Sequence, residues 1–189
     1  LIKLVKPAAI IETGTYRGVS TEFMAKTGLP VHTIEGAYRP YGFAYRRLRH
    51  TQNVHMMFAD SRKGLKRLLQ GPLKDSHEKP LFFYLDAHWN DDLPLADELE
   101  IIFSTCRNAV VMIDDFKVPG DDGYNYDDYG PGKVLDCEYI RPAVDKFQLI
   151  ELYPSTPSAE ESGKWRRGCA VLASPSLEQI RSVPLLRNG

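Results

Sequence analysis

The chain has 189 residues, 43% of them hydrophobic, with 24 Lys and Arg against 25 Asp and Glu and a formal net charge of −1. That length and apolar content suit one globular domain spanning 1–189 and exclude a disordered chain. The balanced charge offers no electrostatic case for nucleic acid as a partner, and no apolar run is long enough to span a membrane.

The chain opens at Leu1 without Met, inside an element (Leu1–Lys6), so a start truncated at the N-terminus is expected, and no signal peptide is visible. Apolar runs then recur in a regular order. The first predicted strand is Ala8–Ile11, followed by Glu12, and a helix over Thr21–Thr27 comes next. Val31–Ile34 ends at Glu35 and leads to a helix over Tyr41–Arg49. Val54–Phe58 ends at Asp60 and leads to a helix over Arg62–Leu69. Leu81–Leu85 ends at Asp86 and leads to a helix over Leu95–Thr105. Ala109–Ile113 ends at Asp114 and Asp115. Strands alternating with helices predict an α/β fold, a Rossmann-like, doubly wound and mostly parallel sheet. Beyond Asp115 the order changes: a long loop (Phe116–Gly132), a helix over Lys133–Lys146, and two strands, Gln148–Tyr153 and Cys169–Ala173, joined by a polar linker from Pro154 to Arg167. Cys106, Cys137 and Cys169 lie far apart, form no metal knuckle or disulfide framework, and read as reduced thiols of a cytoplasmic protein.

The turn after the first strand reads Glu12-Thr13-Gly14-Thr15-Tyr16-Arg17-Gly18. Two spaced glycines let backbone approach a ligand closely and turn the chain into a helix. In open α/β sheets the ligand lies beyond the strand C-termini, so Glu12, Glu35, Asp60, Asp86, Asp114 and Asp115 fall along one binding rim.

These features resemble the class I S-adenosylmethionine-dependent methyltransferases, over about Val5 to Ala173. The resemblance rests on five strands, the Glu-x-Gly-x-x-x-Gly turn and the acid closing the second strand. It implies seven strands, with Gln148–Tyr153 and Cys169–Ala173 as an antiparallel pair. Asp86 together with Ile113-Asp114-Asp115-Phe116 is similar to the metal-dependent O-methyltransferases of the catechol and macrocin types. The helical stretch Ile140–Phe147 resembles the macrocin type. Three departures stand out: Tyr16 where many members have glycine, Asp86-Ala87-His88-Trp89-Asn90 without a lysine, and Asp114-Asp115 where Asp-Asn is usual. A cephalosporin-hydroxylase-like branch shares the framework.

The resemblance implies that Glu12, Gly14, Thr15, Gly18 and Asp86 meet S-adenosylmethionine, with Gly14 and Gly18 lining its methionine end. It implies that Glu35 accepts hydrogen bonds from both ribose hydroxyls, as a carboxylate's two oxygens suit a diol. Asp60 and Ser61 would meet the adenine, with Ala37 or Tyr38 over the ring; Asp60-Ser61 reads equally as a helix N-cap. Asp86, Asp114 and Asp115 offer hard oxygen ligands for Mg²⁺ or Mn²⁺, which would lower an acceptor hydroxyl's pKa. Asp86 and His88 are the candidate catalytic residues, His88 as general base or added ligand. Trp89 is a candidate wall of the acceptor pocket. Phe116–Gly132, rich in Tyr, Gly and Asp, reads as a mobile lid, of which Gly123–Tyr129 supplies little core; its acids Asp121, Asp122, Asp127 and Asp128 lack calcium-loop spacing. The expected activity is methyl transfer to a hydroxylated small molecule of the sugar or natural-product type, in a protein that is free to form a homo-oligomer. The alternatives are a metal-dependent hydroxylase-like protein and a noncatalytic cofactor-binding module.

Overall fold

The computed structural model describes residues 1–88, 92–163 and 166–189. A short helix α1 (Ile2–Val5) precedes β1 (Ile10–Thr13). The chain then runs α2 (Val19–Ala25), β2 (Val31–Glu35), α3 (Tyr38–Leu48), β3 (Val54–Phe58), α4 (Ser61–Gln70), β4 (Leu81–Leu85), α5 (Leu95–Thr105) and β5 (Ala109–Asp114). After a long loop come α6 (Cys137–Phe147), β6 (Ile150–Pro154), β7 (Cys169–Ala173) and β8 (Leu186–Asn188). The strands form one eight-stranded sheet in the order β3-β2-β1-β4-β5-β7-β6-β8. The first five are parallel, and β7, β6 and β8 are antiparallel to their neighbours.

The central strands are apolar throughout because both faces are covered. Ile10 and Phe82 face one core, with Val31, Val110 and Val171; Ile11 and Phe83 face the other, with Leu65, Leu99 and Val111. Strand order reverses between β1 and β4, so the ends of these two strands part and leave a crevice, the usual ligand position in such sheets. Among the described residues no helix is long and apolar enough to cross a membrane.

Three expectations need correcting. Among the described residues the strand count is eight, not seven: Leu186–Asn188 adds to β6, too short to leave a pattern in the sequence. Helix α3 begins at Tyr38 rather than Tyr41, because Pro40 lies in its first turn, where the missing N–H has no intrahelical partner to lose. Helix α6 begins at Cys137 rather than Lys133, capped by Asp136, whose side chain accepts from Tyr139 N at 3.0 Å. The residues before it are held elsewhere: Lys117 N donates to Leu135 O at 2.8 Å.

Candidate functional site

Gly14 sits at the parting of β1 and β4 with φ +84°, and a Cβ there would lie 2.0 Å from the Asp86 carbonyl oxygen. Only glycine lets these strand ends come so close, tied by Asp86 N donating to Thr13 O at 2.9 Å. Gly18 caps α2 with φ +73°, its missing side chain leaving room for Leu48. Tyr16 also has a positive φ of 46°, a conformation that glycine adopts without strain. Its amide is thereby aimed at Glu35 Oε2 (2.7 Å), while Ala37 N donates to Glu35 Oε1 (2.7 Å). Two backbone amides thus fix the Glu35 carboxylate, and its remaining lone pairs stay available to a diol.

Glu12 is placed differently from the expectation of a ligand contact. It is fully buried, and its carboxylate accepts from Ser20 Oγ (2.5 Å), Thr33 Oγ1 (2.6 Å) and Thr21 Oγ1. Thr15 Oγ1 in turn lies 2.5 Å from Thr33 Oγ1. Burial pushes the Glu12 carboxyl upward, and the three hydroxyls oppose it. The geometry makes Glu12 a brace that ties β1 to α2 and β2 from behind the turn. Asp60 caps α4, accepting from Lys63 N at 3.2 Å, and binds Arg62 at 2.6 Å; the guanidinium holds its carboxyl below the usual range. Ser61 is buried near Glu98, a wholly buried acid of α5.

A second group gathers at the ends of β4 and β5. Ligand atoms of Asp86, His88 and Asp115 lie within 4.8 Å of one another. Asp115 has φ +52°, a left-handed turn that follows the end of β5. Burial and the neighbouring Asp114 push the Asp86 carboxyl up to about 8 and that of Asp115 up to about 6. His88 is 5% exposed, and its Nε2 has no hydrogen-bond partner among the described residues. That nitrogen lies 3.8 Å from Asp86 Oδ1 and 3.7 Å from Asp127 Oδ2, too far for hydrogen bonds. Burial lowers the imidazole's pKa, so these are contacts of a neutral ring.

Asp114, expected as a ligand, lies outside this trio. Tyr84 of β4 registers with Met112 of β5, so Tyr84, Met112 and Asp114 share a sheet face, and Tyr84 OH donates to Asp114 Oδ2 at 2.5 Å. His88 takes its place in the group. Two partners had no role in the sequence reading of the site. Asp127, from the long loop, accepts from Tyr129 OH at 2.5 Å. Arg167 Nη1 approaches Asp127 Oδ1 at 3.0 Å and Asp115 Oδ1 at 3.1 Å. The Asp115 contact is an ion pair without hydrogen-bond alignment, so Oδ1 keeps its lone pairs.

Phe116–Gly132 is better anchored than a free lid. Phe116, Val118 and Tyr124 are buried core residues, and Tyr124 OH donates to Thr156 O at 2.9 Å. Asp127 N donates to Asp115 O at 2.9 Å, which pins the loop beside the acids. The expectation that Gly123–Tyr129 adds little to the core fails at Tyr124. Trp89 lies outside the described residues.

No protein-family model and no curated protein matches the chain. Solved structures do match in architecture, which is that of the S-adenosylmethionine-dependent methyltransferases. An O-methyltransferase from Bacillus cereus in complex with SAH is 16% identical, with TM-score 0.60, over 92% of this chain and 77% of that one. The methyltransferase domain of bacterial CtHen1-CN is 13% identical, with TM-score 0.60, over 91% and 93%. A SAM-dependent methyltransferase from Aquifex aeolicus is 16% identical, with TM-score 0.54, over 88% and 80%. At such identities the likeness establishes the fold.

Proposed function

We propose that this chain is an S-adenosylmethionine-dependent O-methyltransferase whose acceptor is a hydroxylated small molecule of the sugar or natural-product type, assisted by a divalent cation. One observation carries the reading: the crevice opened by Gly14 has a fixed carboxylate, Glu35, on one side and the Asp86, His88 and Asp115 group on the other. The fold's cofactor and an acceptor hydroxyl suit those two sides.

The backbone of Gly14 and Thr15 would pass close to the methionine portion, and Glu35 would hold the ribose diol. Asp86, His88 and Asp115 would hold the cation. The orphaned Nε2 of a buried neutral imidazole beside two carboxylates fits one, and an imidazole in the set favours Mn²⁺ over Mg²⁺. When bound, such a cation lowers the pKa of an acceptor hydroxyl and orients it. Because the single lone pair of Nε2 would be taken up by the cation, the acceptor's proton would pass to the Asp86 carboxylate, whose carboxyl is pushed up to about 8. Tyr129, whose hydroxyl bonds Asp127 and whose ring meets that of His88, borders the group and would limit water access from the loop side.

Titration calorimetry with S-adenosylhomocysteine and NAD tests the reading. Only the former should bind, and Glu35→Ala should weaken it by about 1–3 kcal/mol, the scale of charge-assisted hydrogen bonds. Binding of NAD alone, or an affinity indifferent to Glu35, would reject the cofactor assignment.

A further inference from the structure

Most large apolar side chains that stand exposed among the described residues lie on α2, α3 and the end of β3, at one edge of the sheet. On the outer face of α3, Tyr38 is 81% exposed and Phe43 60%, with Tyr45 also exposed. Together with Arg39 and Arg46 they line an open groove of about 600 Å³. Its floor is Gly42, in mid-helix, where an added Cβ would meet nothing within 4 Å. Packing within the chain does not require glycine there, and after proline it is the least favourable helical residue. Its absent side chain keeps the groove flat. Tyr41 packs against Tyr45 and Phe58, which fixes the inner wall.

The charge of the groove is one-sided. Arg47 is paired with Glu22 at 3.1 Å, but no acid among the described residues pairs with Arg39 or Arg46. A second copy of this face would set arginines against arginines, which is unfavourable. An acidic peptide would satisfy the arginines and leave the flat rings unused. A single-stranded polynucleotide uses both, since bases stack on aromatic rings while phosphates meet guanidinium groups. The net charge of −1 conceals this patch, because acids such as Asp121, Asp122, Asp127 and Asp128 lie in the loop after β5, strands away.

We propose that the outer face of α3 binds single-stranded nucleic acid, with Phe43 and Tyr45 stacking on bases and Arg39 and Arg46 holding phosphates. Tyr38, the candidate cover for the cofactor's adenine, borders the proposed methyl-transfer site; the surface carried by Arg39, Phe43, Tyr45 and Arg46 goes beyond that site and does not depend on it.

Fluorescence anisotropy of the full chain with labelled oligouridylate and oligothymidylate, each about 12 nucleotides long, tests this. Micromolar binding is expected, weaker to a duplex of the same length; the RNA and DNA arms tell which strand is preferred. Two phosphate contacts give a log–log salt slope of about −1.4 on single strands. Arg39→Gln with Arg46→Gln should flatten that slope. Phe43→Ala and Tyr45→Ala should each lower affinity about fivefold or more, with unchanged melting temperature. Three results would overturn the proposal: no binding to either strand; an oligoglutamate peptide bound as tightly and unaffected by loss of the rings; or a dimer in sedimentation that Phe43→Ala dissolves.

Discussion

Glu98→Gln should stabilise the protein at neutral and alkaline pH relative to acid pH. Glu98 lies in the first turn of α5 and is 1% exposed, and its Oε1 has no hydrogen-bond partner among the described residues. Burial pushes its carboxyl up from 4.5 to about 7, with the nearby hydroxyls of Ser61 and Thr13 pulling the other way. A raised pKa means the folded state favours the neutral acid. The contribution is therefore whole below pH 4.5, declines as pH rises towards 7, and is constant above that. The gap corresponds to about 3 kcal/mol. For a chain of this size that is about 6–12 °C in melting temperature. Glutamine keeps the shape and cannot ionise, so the variant should gain on the wild type by up to that amount between about pH 4.5 and pH 8. Calorimetric melts of both proteins across that range measure it. Comparing the two cancels Asp86, Asp115 and His32, whose values near 8, 6 and 4 shape both curves alike. A wild-type-to-variant difference that stays flat with pH would refute the assignment of a strained buried acid.

Gly14→Ala should abolish S-adenosylhomocysteine binding and lower stability, because the new Cβ falls 2.0 Å from the Asp86 carbonyl oxygen at a positive φ; calorimetry that finds normal affinity would show that β1 and β4 can part freely. Asp115→Asn should weaken Mn²⁺ binding in titration calorimetry by about tenfold or more while leaving S-adenosylhomocysteine affinity intact, as expected for loss of a charged ligand. Asp114→Asn should weaken it less, since Tyr84 already engages that carboxylate.

The parallel half of the sheet was readable because its strands are buried on both faces and run as unbroken apolar stretches. The rim of acids followed from where those runs stop. Which acids converge was not readable. Tyr84 and Asp114 meet because the β4–β5 register pairs Tyr84 with Met112, and sequence does not fix register. Asp127 reaches the site through backbone bonds of its loop to Asp115 and Leu135, and no periodicity marks those. Glu98 did leave a signal: Leu95, Leu99 and Ile102 are buried beside it, and it falls within their helical stripe. A charged residue inside an apolar stripe is the pattern to watch for. The aromatic groove of α3 left no mark on the overall charge, because net charge averages over the whole chain.

Arg167→Gln should tighten Mn²⁺ binding. Acids crowded at one point need compensation, and here a guanidinium supplies part of it, 3.1 Å from Asp115 and 3.0 Å from Asp127. Its position is built into the chain. An added Cβ on Gly168 would lie 2.1 Å from the Phe116 carbonyl oxygen, so glycine lets this segment run against the loop. Backbone bonds then hold it: Asn125 N donates to Arg166 O at 2.6 Å and Gly168 N to Asn125 O at 2.9 Å. A cation held by Asp86, His88 and Asp115 would share Asp115 with Arg167 and feel its charge. In a half-exposed setting that repulsion is on the order of 1–2 kcal/mol, so the variant should bind Mn²⁺ about tenfold more tightly. Without metal it should melt lower, because the acids lose their counter-charge. Calorimetric affinities and melts with and without Mn²⁺ read both effects. Weaker metal binding in the variant would mean that Arg167 orders the ligands rather than competing with the ion. A lower melting point with no Mn²⁺ binding in either protein would leave the guanidinium as the site's own cation and remove metal assistance from the mechanism.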